Sequence, residues 1–435
     1  KTETDTKVMT IKNGTIFVQI ASYRDPELKP TLVDLLDKAD NPDRLKVCIA
    51  WQHTPEDEWD TLDEYLDDDR FIIIDIPHTE TNGTCWARNT IQQKYNGEDY
   101  TLQLDSHHRF VKGWDSKCIR MLKQLQKKGH KKPLLTGYIP SYNPKNDPEE
   151  RVDSPWKMDF DRFTPEGVIF FLPATIDDWK ERNEPVPARF FSAHFTFTLG
   201  IFCNEVQHDP KYYFHGEEIA LAVRAYTHGY DLFHPHRIIA WHEYTRVGRS
   251  KHWDDDDSWV DRNKTTFYRL KGLLGTDGTV CTPCMKKQLV PYYLGEERTL
   301  ADYEKYAGIR FNDRGIQQYT LDKVGYPPNP EVEDYENSFH KVFRHCIDIH
   351  TNDVPEKDYD FWAVAFHDEN GKDIYREDAS KEEVANLIAT QKDGWINLWR
   401  TYTGPLPSSW SVWPYSKSKE WCNRLSGNLG IEKNG

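Results

Sequence analysis

No stretch of about 18 consecutive apolar residues occurs in the chain, so a membrane-spanning helix is not expected. The longest apolar run, residues 167–176, has only the length of a strand. The opening residues, KTETDTKVMTIKNG, lack the apolar centre of a secretory signal. Cysteine is sparse: eight in 435 residues are too few for a disulfide scaffold. Cys48, Cys85, Cys118, Cys203, Cys346 and Cys422 are scattered and read as reduced, mostly buried thiols of a cytoplasmic protein. Basic residues are outnumbered, 56 against 71 acidic, for a net charge of −15. That balance repels polyphosphate and argues against nucleic-acid partners, while leaving room for one basic pocket for a phosphorylated small molecule. Apolar residues make up only 37%, but aromatics reach 13%, which excludes a disordered chain.

What is present is an alternation of strand and helix signals. Residues 15–21 (TIFVQIA) are a short apolar, β-branched run, and 45–51 (LKVCIAW), 71–76 (FIIIDI) and 100–104 (YTLQL) read as further strands. Helical spacing fills residues 30–38, 85–95, 114–127 and 216–228, and short strands are predicted at 195–202 and 237–242. Strands separated by helices predict an α/β fold with a mainly parallel sheet. Ligands of such sheets bind beyond the carboxyl ends of the strands. Ser22, Tyr23, Arg24, Gln52, His53, His78, Asp105, Ser106 and His107 are therefore the residues to inspect. Length predicts two to three domains. The boundaries expected are a catalytic domain over 1–275, a connecting segment over 276–330 and a smaller α+β or β-rich domain over 331–435. The last contains an Asn-Gly hairpin signal at 370–371 and a helix over 381–389.

The sharpest chemical feature is Leu104-Asp105-Ser106-His107, where an acidic residue ends a strand and a histidine follows two positions later. In an extended chain these two side chains share a side, so they can share a divalent cation. A carboxylate oxygen with imidazole nitrogen suits Mn2+, and less well Mg2+. The plainer reading is an Asp that caps a turn beside a surface histidine. His242 ends another strand-like run and offers a third ligand. Glu217 and Glu218 open a helix after Gly216, which lets a ligand approach the backbone. Alternatively, the two carboxylates only favour the positive helix end. Adjacent on a helix, they point about 100° apart, poor geometry for a paired-carboxylate hydrolase.

The blocks IASYRDPE (20–27), ARN (87–89), LQLDSHHRF (102–110), YFHGEEIALAVRAYTHGYDLFHP (213–235) and WHEYTR (241–246) resemble the GlcNAc-transferase family that includes the Skp1 hydroxyproline N-acetylglucosaminyltransferase. More distantly they are similar to the mucin-type polypeptide GalNAc-transferases, which carry a DxH metal motif, a GGE block and a distal metal-binding histidine. The resemblance implies a GT-A fold that holds a UDP-sugar through a divalent cation, Mn2+ or Mg2+. It makes Asp105, His107 and His242 the metal ligands. Glu217, with Glu218 beside it, falls on the glutamate that contacts donor-sugar hydroxyls. Ser22, Tyr23 and Arg24 fall where uridine sits, Ser106 and Gly216 within the donor site, and Arg88 and Arg246 against the diphosphate. The activity implied is transfer of GlcNAc from UDP-GlcNAc to a hydroxyl of a protein or glycan, with retention of configuration. A cation and arginines can neutralise the departing UDP without a general acid. His215 departs from the distant relatives, which have glycine there.

Competing expectations keep the fold with another UDP-sugar or with a hydroxylated DNA base as acceptor, or make the chain a carbohydrate-binding protein without activity. Cys281-Thr-Pro-Cys284 is expected in a loop, as inert thiols before a disulfide or a metal pair. The acidic run at 254–257 is expected to be solvated. The tail holds Trp362, Trp395, Trp399, Trp410, Trp413 and Trp421, read as bulk for a small core in preference to sugar-stacking surfaces.

Overall fold

A computed structural model of the chain describes residues 14–245, 249–255 and 258–429. They fall into two compact units, the first within Lys1–Asn312 and Lys323–Pro330, the second within Asp313–Asp322 and Glu331–Gly435. Residues 276–312, which read in sequence as part of a connector, are contained in the first unit. There Tyr303 is buried and its hydroxyl donates to the Arg189 carbonyl at 2.6 Å.

The strands of the first unit are β1 (Ile16–Tyr23), β2 (Leu45–His53), β3 (Phe71–Pro77), β4 (Tyr100–Leu104), β5 (His108–Phe110), β6 (Pro133–Thr136), β7 (Trp156–Phe163), β8 (Ile169–Thr175), β9 (Val186–Pro187), β10 (Phe195–Leu199), β11 (Asp231–His234) and β12 (Ala240–His242). Eight of them form one sheet in the order β3-β2-β1-β4-β10-β6-β11-β9. Parallel pairs join β3 to β2, β2 to β1, β1 to β4 and β6 to β11, while β10 runs antiparallel between β4 and β6. The α/β class and mainly parallel sheet read from sequence are those formed. Strands β7 and β8 make a hairpin apart from this sheet.

The apolar runs are nearly continuous because helices cover both faces of the sheet. On one face, Leu32 and Leu35 of helix Leu28–Lys38 and Leu122 and Leu125 of helix Trp114–Lys127 pack on Val18, Ile20, Val47, Ile49, Leu102 and Leu104. On the other, Ala87 and Ile91 of helix Thr84–Gln92 meet Phe17, Cys48, Ala50 and Ile76. Each buried leucine stabilises by roughly 1.5–3 kcal/mol. Ile20 and Leu104 are in register at the ends of β1 and β4, so Tyr23–Asp25 and Asp105–His107 leave the sheet side by side.

The second unit is β-rich, with α-helices at Gln318–Asp322 and Lys381–Ala389 among the described residues. Strands Val342–His350 and Trp395–Thr403 pair antiparallel. Strand Tyr359–His367 pairs with Asp373–Arg376 across the Asn370-Gly371 turn and with Ser409–Ser416 on its other side. Trp362, Phe366, Ile347, Ile396, Leu398 and Val412 fill its core. Trp362 is fully buried as expected, but Trp395, Trp399, Trp413 and Trp421 are not. No described helix is long and apolar enough to cross a membrane.

The segment Cys281–Cys284 differs from expectation. Pro283–Leu289 is a helix, capped by the Thr282 hydroxyl, which accepts from Met285 N–H at 3.2 Å. A threonine N-cap followed by proline at the first helical position is a start signal, not a loop signal. Cys48, Cys85, Cys118 and Cys203 are buried, whereas Cys346 and Cys422 are half-buried.

Candidate active site

Asp105 and His107 follow β4, and His242 ends β12. The antiparallel pairing of β12 with β5 sets His242 opposite His108 and so brings it to the same strand end. His108 itself is buried and structural: its Nε2 accepts from the Asp105 N–H at 3.2 Å and its Nδ1 faces the Trp241 carbonyl at 3.1 Å. The resulting trio can hold a cation. Adjacent ligands about 2.1 Å from an octahedral ion stand about 3 Å apart. Asp105 Oδ2 lies 3.4 Å from His107 Nε2 and 3.0 Å from His242 Nε2. All three ligand atoms fall within 4.8 Å of one another. Three protein ligands leave positions for other donors, and the mixed oxygen and nitrogen set fits Mn2+ better than Mg2+.

Burial and neighbouring charges act differently on the three groups. Burial opposes ionisation of Asp105, but hydrogen bonds to His107 and His242 and the charge of Arg88 hold its carboxyl well below the usual carboxylate range. Burial, with the neighbouring His107 and His108, keeps His242 well below the ordinary histidine value despite Asp105, so its ring is neutral. Burial alone would depress His107 too, but its bonds to Asp105 and Asp25 win and raise it.

Asp25 is a residue that the sequence did not single out. Its Oδ2 accepts from Ser106 Oγ at 2.6 Å and faces His107 Nδ1 at 2.8 Å. Arg249 Nη1 lies 3.5 Å from the same carboxylate oxygen. Arg249 Nη1 also lies 2.7 Å from His107 Nδ1. A proton on Nδ1 directed at Asp25 would leave Nε2, 3.4 Å from Asp105 Oδ2, as the atom open to a cation. This carboxylate–histidine arrangement orients a metal ligand. The only available sequence signal was an acidic residue just past the first strand, next to SYR.

A cavity of about 340 Å3 opens beside the trio, lined among others by Tyr23, Arg88, Ser106, Glu217, Glu218 and Tyr244. Glu218 Oε2 accepts from the Ala193 N–H at 3.0 Å. Burial, then repulsion from Glu217, pushes the Glu218 carboxyl up, against the pull of that N–H and of Arg88. Both glutamates thus reach the cavity from one helix start. Gly216 before them has φ +106°, and a Cβ there would meet Leu270 Cδ2 at 3.1 Å. Backbone conformation and helix packing account for this glycine.

The remaining expected residues divide. Arg88 is buried and pairs with Asp105 Oδ1 at 2.8 Å. Ser22 is buried, and its hydroxyl has no hydrogen-bond partner among the described residues. The Tyr23 hydroxyl donates to Asp255, and Arg24 pairs with Asp57 at 2.7 Å and with Asp255 at 3.2 Å. Asp255, expected in a solvated run, therefore ties the 249–255 segment to the end of β1. Arg246 lies outside the described residues. Arg249, Ser250, Lys251 and His252 add to the cavity wall, as do Tyr138 and His194. The His194 ring stacks on His242 with centroids 4.0 Å apart. No periodicity or spacing marks His194, whose place depends on β10 inserting beside β4.

An α/β sheet with a carboxylate–dihistidine site at its strand ends, beside a polar cavity, is the frame of an enzyme that handles a charged small molecule. Residues 15–71 and 59–313 match the profile of the family described as Glycosyltransferase (GlcNAc), and the chain belongs to that family. Among curated proteins none matches the chain. Solved structures similar to it include GalNAc-T7 with UDP, GalNAc and Mn2+, at 14% identity over 67% of this chain and 54% of that one, with a TM-score of 0.42. S. aureus TarS 1-349 in complex with UDP-GlcNAc is 11% identical over 67% of this chain and 70% of its own, with a TM-score of 0.39. The mannosyltransferase PcManGT from Pyrobaculum calidifontis, in complex with GDP-Man and Mn2+, is 13% identical over 63% and 67%, with a TM-score of 0.36. The match spans about half the length of the GalNAc-T7 chain.

Proposed function

We propose that this chain is a GT-A-type, Mn2+-dependent transferase that moves GlcNAc from UDP-GlcNAc to a hydroxyl of a protein or glycan, with retention. Within the family we place it near the branch that modifies hydroxyproline of Skp1, acting in the cytoplasm. The transferase chemistry resides in residues 1–275 and an accessory domain in 331–435, while residues 276–312 belong to the same compact unit as the former. The observation that carries the reading is the convergence of Asp105, His107 and His242 with Glu217 and Glu218 on one cavity.

A bound divalent cation would neutralise the diphosphate as the glycosidic bond breaks. Asp105, His107 and His242 would hold it, and Arg88 keeps the Asp105 carboxylate ionised and oriented. Ser22, Tyr23 and Arg24 flank the uridine, Ser106 and Gly216 belong to the donor site, and Arg246 adds to the diphosphate contacts. Glu217 accepts hydrogen bonds from donor-sugar hydroxyls, and Glu218 fixes the Ala193 backbone that faces the same sugar. Among the described residues, Glu217 and Glu218 stand side by side at one helix start and do not face each other across a bond as a hydrolase's carboxylates do. The acceptor hydroxyl therefore attacks from the face that UDP leaves, and the departing phosphate takes its proton.

The test is UDP release and product formation from a panel of UDP-sugars, with Mn2+ or with EDTA. UDP-GlcNAc is expected to be the best donor and EDTA to abolish turnover. Full activity in EDTA overturns the metal role, and preference for UDP-GalNAc or UDP-glucose overturns the donor. Glu217→Gln should lower transfer efficiency by about ten- to hundred-fold, the loss of one charge-assisted hydrogen bond, while leaving UDP affinity nearly unchanged.

A further inference from the structure

The tail tryptophans that the core does not absorb lie on one sheet face. In strand Trp395–Thr403 the residues alternate strictly: Ile396, Leu398, Arg400 and Tyr402 are buried, while Trp395, Asn397, Trp399 and Thr401 face out. The antiparallel partner strand sets His350 opposite Trp395, Asp348 opposite Asn397, Cys346 opposite Trp399 and Arg344 opposite Thr401. Directly opposed residues share a face, so these side chains form one surface. Trp395 is 49% exposed and Trp399 50%. Four residues of strand separate them, about 14 Å.

We propose that this face is a second, non-catalytic site that binds a neutral oligosaccharide. Each pyranose ring has an apolar C–H face that stacks on an indole and an equatorial rim of hydroxyls that needs hydrogen-bonding partners. The face offers both in alternation. Between the two indoles lie Asn397, whose side chain has no hydrogen-bond partner among the described residues, and Asp348, which accepts only from the Cys346 thiol at 3.5 Å. The spacing of the rings exceeds one sugar, so the ligand is a chain of several units.

Other occupants fit less well. The core of a protein interface is a contiguous apolar patch poor in charge, and here Asp348 and Arg344 stand among the tryptophans. Nucleobases also stack on indoles, but a phosphate backbone would meet Asp348 on a chain of net charge −15.

The platform is also fixed before any ligand arrives. Trp395 and Lys392 exchange backbone hydrogen bonds of 2.8 and 3.0 Å across a tight turn. The His350 ring meets the Trp395 ring edge-on at 5.0 Å. The Arg344 guanidinium lies 4.4 Å above Trp399, covering one side of the indole. Rings held in this way lose little freedom on binding. The second aromatic group of this unit differs: Trp413 and Trp421 pack on each other, with centroids 4.5 Å apart, and so satisfy themselves.

The experiment titrates the full chain with chitohexaose, cellohexaose, xylohexaose and mannohexaose, read by tryptophan fluorescence and by saturation-transfer NMR. At least one hexasaccharide is expected to bind, with affinity falling about ten-fold or more in Trp395→Ala and in Trp399→Ala. Asn397→Ala, a surface change that spares the fold, should weaken the same binding. Trp413→Ala and Asp105→Ala should leave it unchanged, the latter separating this site from the donor site whatever the donor proves to be. The proposal is overturned by absence of binding to all four sugars, or by binding that survives the Trp395→Ala/Trp399→Ala double replacement. It is equally overturned if an oligo(dT) probe binds in their place, or if the replacements alter only the molar mass in light scattering, which would make the face a contact between copies.

Discussion

Asp25 decides more at the residue scale than any side chain outside the trio. It is nearly fully buried, and burial disfavours its charge, yet bonds to His107 and Ser106 and the Arg249 charge keep its carboxyl below the usual range. An ionised carboxylate 2.8 Å from His107 Nδ1 favours a proton on that nitrogen and so leaves Nε2 for a cation. Asp25→Asn is therefore expected to weaken Mn2+ binding by about 10- to 100-fold with the fold intact. Electron paramagnetic resonance titration of free Mn2+ measures this directly, and an unchanged affinity would show that His107 is oriented by its backbone alone. His242, the distal member of the trio, is held differently. His242 Nδ1 is buried with no hydrogen-bond partner among the described residues, and its ring rests against His194 and Tyr244. His242→Ala should abolish Mn2+ binding in the same titration, leaving the free-ion signal undiminished, because a methyl group supplies no ligand.

Among the elements, β11 carries a buried titratable residue, His234, that bonds to two neighbouring strands. His234 Nδ1–H donates to the Thr136 carbonyl of β6 at 2.7 Å, and its Nε2 accepts from the Met158 N–H of β7 at 3.3 Å. Only the second bond needs the neutral ring, because a protonated Nε2 cannot accept, and burial lowers this histidine from 6.5 to about 4. Between those values the unfolded chain takes up a proton that the folded chain refuses. Stability is thus full above pH ~6.5, declines as pH falls toward ~4, and loses on the order of 3 kcal/mol in that window. Urea unfolding of wild type and His234→Gln at several pH values tests this, since the variant should have a flatter acid limb. An identical pH slope would exclude His234 as the source. Helix Trp114–Lys127 carries a simpler expectation. Leu122 is fully buried against the sheet, so Leu122→Ala should cost about 2–5 kcal/mol, read as a lowered urea midpoint.

Over the whole molecule, the same acid sensitivity is repeated. His108, His194, His208, His236 and His242 are all pushed below the ordinary histidine value, burial being the first cause in each. Mildly acidic buffer should therefore destabilise the first unit, where all of them lie. Mn2+ should act in the opposite direction. A ligand that binds only the folded state stabilises by about 2.7 kcal/mol at a hundred times its dissociation constant. Calorimetry should show a higher melting midpoint with Mn2+ for the wild type and no increment for His107→Ala. An equal increment in both would mean that the ion binds elsewhere.

Much of this protein was determined by local sequence. Strands at 16–23, 45–53, 71–77 and 100–104 are readable because each is a short β-branched run whose two faces are both covered, and helices at 114–127 and 381–389 because their apolar spacing repeats over several turns. Asp105 and His107 are readable as a pair because two residues of extended chain put side chains on one side. The misreading at Cys281–Cys284 came from taking Pro283 as a loop residue where it begins a helix. Tertiary structure alone decided the rest. The antiparallel insertion of β10, the pairing of β12 with β5 that delivers His242, the reach of Asp25 to His107 and the tie from Asp255 to Tyr23 all join residues far apart in the chain. Their positions follow from which strands become neighbours, and strand neighbours are chosen by burial summed over the whole sheet, a quantity that no local pattern carries.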